Sequence, residues 1–246
     1  MAQRALGAVE KALEVLACFT PQDPELGVSQ ISRDLGLGVS TVHRLLTTMV
    51  RTGYVVRDPS TQRYRLGSRV VQLAAAAAEN DGLKLFARQY LIKLRDLTGE
   101  TARLHVLLNL KRVCAAEIET LYEIRATGGV GKTYELTSGA ASKAILAFQP
   151  EAAIDLVLVD TPAARGAKVR AELAKVRKQG FAMSVEENAR GAASLAAPVR
   201  DRSDGVVAAL CVTGPTSRWA QRDMLMFTDD IVRCANELSQ QLHHPK

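Results

Sequence analysis

Aromatic side chains make up only 4% of the 246 residues, with a single tryptophan, so the core must be built from aliphatic residues and alanine. The four cysteines, Cys18, Cys114, Cys211 and Cys234, are scattered without a C-x-x-C pair, and only four histidines could join them. That spacing argues against a disulfide framework and against structural zinc, so no metal and no cofactor are expected. No apolar run approaches the roughly 18 residues of a membrane-spanning helix. The opening stretch MAQRALGAVEKALEVL also lacks a signal-peptide cleavage pattern, so a cytoplasmic protein with no membrane partner is expected.

What is present is a chain with 47% hydrophobic and 24% charged residues, values ordinary for a globular protein. Its length suits two modest domains, each with its own core, and the character of the sequence changes near residue 80. Lys plus Arg number 32 against 26 Asp plus Glu, a net charge of +6, too small an excess to establish a nucleic-acid partner. Its distribution says more: between Ser40 and Arg69 stand Arg44, Arg51, Arg57, Arg63, Arg65 and Arg69 against the single acid Asp58.

Val9, Ala12, Leu13 and Leu16 recur at helical spacing and predict a first amphipathic helix, ended by the loop TPQDPELG. A second, short helix is expected from about Ser29, with Ile31 and Leu35 inward and Gly36 closing it in a left-handed conformation. A third starts near Val39, where Val42, Leu45, Leu46 and Met49 form one buried stripe. The opposite face carries Ser40, Thr41, His43, Arg44, Thr47, Thr48 and Arg51. Taken alone, such a face is simply solvated; yet an arginine and short hydroxyls at a helix N-terminal end also suit a helix that reads base edges in the major groove.

The continuation GYVVRDPSTQRYRLG supplies two short strands, roughly Tyr54–Arg57 and Arg63–Leu66, joined through Asp58, Pro59 and Ser60. A helix–turn–helix followed by a basic hairpin is a winged helix, with Arg57, Arg63 and Arg65 on the wing. Ser29, at the start of the second helix, completes the set of candidate DNA contacts. Ser68 to Glu79, SRVVQLAAAAAE, reads as a helix that is either a stable linker or a dimer contact spacing two heads on an inverted repeat.

The stretch ISRDLGLGVSTVHRLLTTMVRTGYV followed by YRLG resembles the DNA-binding head of the isocitrate-lyase-regulator (IclR) family of bacterial transcription factors. One departure is Gly38, where the family usually has serine; glycine caps a helix at a cost of only a few tenths of a kcal/mol.

From Leu83 onward helices alternate with strands. A helix runs to about Leu97, and TARLHVLL and RVCAAEIE are strands about a turn too short for a parallel crossover, so the sheet is expected to be antiparallel. Helices are expected over about Ala140–Ala147, after Pro150, and over Ala167–Gln179. The strands AASLAAPVR and GVVAALCVT form a hairpin through DRSD. One long helix with Met224, Phe227, Ile231, Cys234, Leu238 and Leu242 inward closes the chain.

Between these elements Ala126-x-x-x-x-Gly131-Lys132-Thr133 imitates a phosphate-binding loop. Such a loop works only where a helix begins at its Lys-Thr. Here β-forming residues and a Thr-Ser-Gly turn follow, and nucleotide binding is not expected.

YELTSGAASKAILA and GFAMSVEENARGAASLAAPVRDRSDGVVAALCVTGPTSRW also resemble IclR-family segments. With the head, the likeness covers nearly the whole chain. It implies an α+β protein: a winged helix–turn–helix domain (1–67), a linker helix (68–82), and an effector-binding and oligomerisation domain (83–246) of the GAF/profilin-like kind with a six-stranded antiparallel sheet.

By position, the family's effector site implies Ala140, Ala141, Ser184, Ser194, Cys211 and Thr213, with helix-start amides suited to an anion. Thr137 and Ser142 stand where the family often has histidine and glycine, so the effector's identity does not carry over. Arg103 and His105 share one face of a strand; they meet solvent, a dimer partner, or a ligand carboxylate, for which Arg103 would be the fork. The expected partners are a double-stranded DNA operator, a small organic acid effector, and a second copy in a dimer or tetramer. The competing reading is an enzyme with Cys211 or Cys114 as nucleophile and His105 as base.

Overall fold

The computed structural model describes residues 7–20, 23–79, 82–124 and 129–243. The chain divides into two compact units, 1–80 and 81–246.

The first unit opens with α1 (Ala8–Ala17). Its inward residues are Val15, Ala12 and Leu16, while Val9 and Leu13, expected inside, are 72% and 60% exposed. The periodicity was sound but its phase was displaced, because Phe19, just beyond the helix, completes the buried side. A two-residue strand, β1 (Glu25–Leu26), stands inside the segment expected to be only a loop, and buries Leu26. Helix α2 (Val28–Leu35) ends at Gly36 with φ 63°, and Leu37 N–H donates to Ser32 O at 3.1 Å. Helix α3 (Val39–Arg51) buries Val42, Leu46 and Met49, with Leu45 half-buried. Strands β2 (Val55–Arg57) and β3 (Tyr64–Leu66) complete an antiparallel sheet in the order β1-β3-β2. Val15, Leu26, Ile31, Val42, Leu46, Val55 and Tyr64 make one core, each large apolar side chain contributing about 1.5–3 kcal/mol. Helix α4 (Ser68–Glu79) follows the wing.

In the second unit, α5 (Gly82–Thr98) leads into β4 (Thr101–Leu108) and β5 (Lys111–Ile118), joined by Asn109 and Leu110 at positive φ of 48° and 59°. Two left-handed residues give the hairpin turn whose twist matches its strands. Then come β6 (Thr133–Glu135), α6 (Ala140–Leu146), α7 (Glu151–Leu158) and α8 (Ala163–Gln179). Helix α8 begins four residues earlier than expected: Pro162 starts it, and burial of Val169, Leu173 and Val176 carries it past the helix-weakening Gly166. The chain continues through β7 (Ala182–Val185), not foreseen as a strand, β8 (Ala192–Arg200) and β9 (Val206–Pro215). The single closing helix expected is two, α9 (Gln221–Leu225) and α10 (Thr228–His243), broken at Met226–Phe227; Met224, Ile231, Cys234 and Leu238 are buried as anticipated.

All six strands pair antiparallel in the order β6-β5-β4-β9-β8-β7. Alternation sorts the side chains between two faces. Leu104, Leu195, Leu210 and Val212 pack with α5 and α10. Ala182, Ala196, Ala209 and Cys211 face α6, α7 and α8. On this second face the register aligns Thr101, Thr213, Ser194 and Ser184 in one row across four strands. The polar end of an otherwise apolar face is thereby collected at one place.

Candidate functional site

Burial of Val42, Leu46 and Met49 leaves the other side of α3 to solvent. Ser40, His43, Arg44, Thr47, Thr48 and Arg51 are exposed there and Thr41 is half-buried; Ser29 is exposed at the start of α2. The N-cap, Gly38, brings no side chain to the first turn, so the positive end of a 13-residue helix is uncapped. Two hydroxyls are partly committed: Thr47 Oγ1 donates to His43 O at 2.8 Å and Thr48 Oγ1 to Arg44 O at 3.1 Å. On the hairpin Arg57, Arg63 and Arg65 are all exposed. Arg63 spends one donor on Glu25 O at 2.7 Å, which ties the wing to β1, and Arg57 lies over the Tyr64 ring at 5.6 Å. The wing turn is held by Asp58, which accepts Ser60 N–H at 2.7 Å and Thr61 N–H at 3.0 Å. These bonds, with the Ser60 hydroxyl foremost, keep its carboxyl below the usual range.

The second unit holds a cavity of about 300 Å³ between the sheet and the start of α6. All eight positions expected from sequence line it: Arg103, His105, Ala140, Ala141, Ser184, Ser194, Cys211 and Thr213. Arg103 and His105 are 5% and 3% exposed, so the solvent-facing alternative for this pair is wrong. Two other expectations change. Arg103 is already paired with Glu117, its register partner on β5; burial opposes its charge, but the hydrogen bond and charge of Glu117 outweigh burial and raise its pKa. Two amides at the α6 start are also taken: Gly139 N–H donates to Glu187 Oε2 at 2.8 Å and Ala140 N–H to Ser184 Oγ at 3.1 Å.

Sequence reasoning passed over Arg112, Tyr134, Glu187, Asn188 and Arg190, and considered Lys132 only as part of the phosphate-loop pattern; all six line the cavity. A buried-strand position occupied by arginine was the available signal for Arg112. Its Nε–H donates to Ser142 Oγ at 2.7 Å, its Nη1 lies 3.0 Å from His105 Nδ1, and its guanidinium sits 4.0 Å over the Tyr134 ring. Burial, then the charges of Arg112 and Arg103, hold His105 well below its ordinary pKa, so the ring is neutral and accepts from Arg112. Hydroxyls finish the far wall, with Ser194 Oγ and Thr213 Oγ1 3.0 Å apart.

At the loop that imitates a phosphate cradle, Lys132 leads into β6 and no helix begins before Ala140; Ala126 lies outside the described residues. Cys114, one proposed nucleophile, is buried with its thiol pushed up to about 11 by burial and then by Glu117, the reverse of what nucleophilic catalysis needs. Cys211 Sγ contacts Thr213 Oγ1 at 3.6 Å, while His105 is engaged by Arg112. Among the described residues no cluster of His, Cys, Asp or Glu could hold a metal, and no helix is long and apolar enough to cross a membrane.

A winged helix–turn–helix head and a separate sheet domain enclosing a polar cavity define a DNA-binding regulator with an effector-binding domain. The chain belongs to the IclR family of bacterial transcriptional regulators, which are not enzymes: residues 8–59 match the IclR helix-turn-helix domain and residues 75–240 the IclR C-terminal domain. It is 30% identical to the HTH-type transcriptional regulator XynR of Escherichia coli, over 97% of this chain and 98% of that one. It is likewise 30% identical to the regulator BhcR of Paracoccus denitrificans, over 94% and 86% of the two chains. An IclR-type regulator from Silicibacter sp. superposes with a TM-score of 0.84 at 27% identity, covering 96% of each chain. An IclR homolog from Microbacterium hydrocarbonoxydans, solved with 4-hydroxybenzoate, shares the fold with a TM-score of 0.83 at 20% identity, over 96% of this chain and 99% of that one.

Proposed function

We propose that this regulator binds an inverted-repeat operator as a dimer or tetramer in the cytoplasm and that a small organic acid entering the cavity changes that binding. In this reading residues 1–67 read DNA, 68–82 link, and 83–246 sense the effector and self-associate. Arg44 reads a base edge from α3, with Ser40, Thr41, His43, Thr47, Thr48 and Arg51 beside it; Ser29 and the wing arginines Arg57, Arg63 and Arg65 hold phosphates.

The observation that carries the reading is the convergence of eight positions from β4, α6, β7, β8 and β9 on one small, cationic cavity. The solved relative holding 4-hydroxybenzoate, itself an organic acid, is consistent with it. Self-association is supported by apolar side chains left outside: Val9 and Leu13 on α1, Val71 (70% exposed) and Leu73 (51%) on α4.

The test is fluorescence anisotropy of the purified protein on DNA from upstream of its own gene, against scrambled DNA at physiological salt. A preference of about a thousandfold is expected for a specific regulator, altered by at least one organic acid. Equal, weak and salt-sensitive binding to both DNAs would count against specific recognition of that region. A specific complex indifferent to every organic acid would remove the effector half of the reading.

A further inference from the structure

Three arginines line the cavity, and the two buried ones, Arg103 and Arg112, differ in their electrostatic situations. Arg103 has Glu117 as counter-ion. Arg112, 4% exposed, makes no ion pair with a carboxylate among the described residues, and burial lowers its pKa, outweighing the smaller opposing influence of Cys211, Tyr134 and Cys114. A guanidinium stays charged in a protein, and a buried charge with no counter-charge is costly. Its neighbours are a neutral imidazole, a hydroxyl and an aromatic face. These satisfy hydrogen bonds and leave the charge unmet.

The free edge of that guanidinium points where a ligand could sit. Nε and Nη1 have partners, and Nη2 makes no hydrogen bond among the described residues. A Cβ placed on Gly139 would lie 3.3 Å from Nη2 and 2.1 Å from Asn188 Nδ2, so the bare glycine lets the Asn188 amide, which also lines the cavity, come close beside that edge. Four cationic side chains line the cavity, and the single acid among its described lining residues, Glu187, is committed to Lys143 Nζ at 2.6 Å and Gly139 N–H at 2.8 Å. One residue beyond Gly139, Ala140 N–H meets Ser184 Oγ, which opens the hydroxyl row through Ser194 and Thr213. The aromatic face present, Tyr134, is covered by Arg112 itself.

We infer that the ligand is a small open-chain hydroxycarboxylate, its carboxylate held on the Nη2 edge of Arg112 and its hydroxyls met by Ser184, Ser194 and Thr213. This rests on the effector reading above and gives it a chemical class and an anchoring residue. Arg103 then shapes the wall without taking the ligand's charge. The cavity lies at the small end of the roughly 300–1,000 Å³ range of ligand sites, which suits a compact acid.

The experiment is titration calorimetry on the full-length protein with glycerate, threonate and gluconate, each beside its neutral polyol, and with benzoate as a carboxylate lacking hydroxyls. At least one hydroxy acid should bind while its polyol and benzoate do not. Arg112→Gln should weaken that acid by about 10- to 100-fold, the range for a lost charge-assisted pair, with melting temperature and operator binding retained. Arg112→Lys keeps the charge without the fork and serves if the first variant does not fold; about tenfold weakening is expected. Three outcomes overturn the inference: no hydroxy acid of the series binding, a polyol or benzoate binding as tightly, or a folded Arg112 variant binding at wild-type strength. A failure of the effector reading looks different, because then no compound in a broad metabolite library alters the DNA complex.

Discussion

The Glu187 carboxylate lies 2.6 Å from the Lys143 ammonium and also accepts the Gly139 N–H at 2.8 Å. One side chain from the loop after β7 thereby caps α6 and neutralises a lysine that α6 has buried to 4% exposure. Glu172 of α8 shares that lysine at 3.1 Å, so three segments meet at a single charge beside the cavity.

Glu187→Ala is therefore expected to destabilise the protein by about 1–3 kcal/mol, the cost of leaving a largely buried charge and a helix-start amide short of partners. Glu172 remains and keeps the loss below that of an unpaired buried lysine. Urea unfolding, with an unchanged denaturant slope, checks it.

On the reading helix, Arg44→Ala should weaken specific DNA binding by about 1–3 kcal/mol if Arg44 meets a base edge. Thr47→Ala should cost less, because the Thr47 hydroxyl proton is already given to His43 O. Anisotropy titrations of the two variants on one operator rank them; equal losses would count against Arg44 as the base reader.

The buried, neutral His105 makes stability depend on pH. Its folded-state pKa lies well below the ordinary 6.5 through burial and the charges of Arg112 and Arg103, so below 6.5 the unfolded chain binds a proton that the folded one refuses. The contribution is complete above 6.5 and is lost as pH falls, by about 1.4 kcal/mol per pH unit until the folded pKa is reached. His105→Gln should flatten that part of the stability–pH profile.

Gly139 sits at φ 89° and ψ 151°, a backbone region open essentially to glycine alone. A Cβ there would also stand 2.1 Å from Asn188 Nδ2, forcing Asn188 out of its 2.8 Å bond with Ser138 Oγ. Gly139→Ala should lower stability by about 1–3 kcal/mol and abolish ligand response while operator binding persists. Thermal melting and anisotropy with and without ligand separate the two effects.

Much of this architecture was legible because it depends on periodicity. The stripe of α3, the β4–β5 and β8–β9 hairpins and the inward face of α10 all follow from apolar spacing and turn chemistry. The misreadings fall where a distant segment intervened. Val9 and Leu13 have the right spacing but lie outside, since Phe19 and Val15 define the buried side. Leu26 becomes a strand residue only because β3 pairs with it. The helix expected from Ala167 starts at Ala163, carried past Gly166 by burial against α6.

The sequence alone determined which residues form a helix–turn–helix, which strands alternate, and that Arg103, His105, Cys211 and Thr213 interrupt apolar strands on common faces. These are local properties, set by the 3.6- and 2-residue periods. Only the tertiary structure decided how the polar positions are used, because charge pairing depends on partners far apart in the chain. Register placed Glu117 opposite Arg103 and left Arg112 without a carboxylate partner among the described residues, and the packing of α6 against β8 and β9 set Gly139 beside its Nη2 edge.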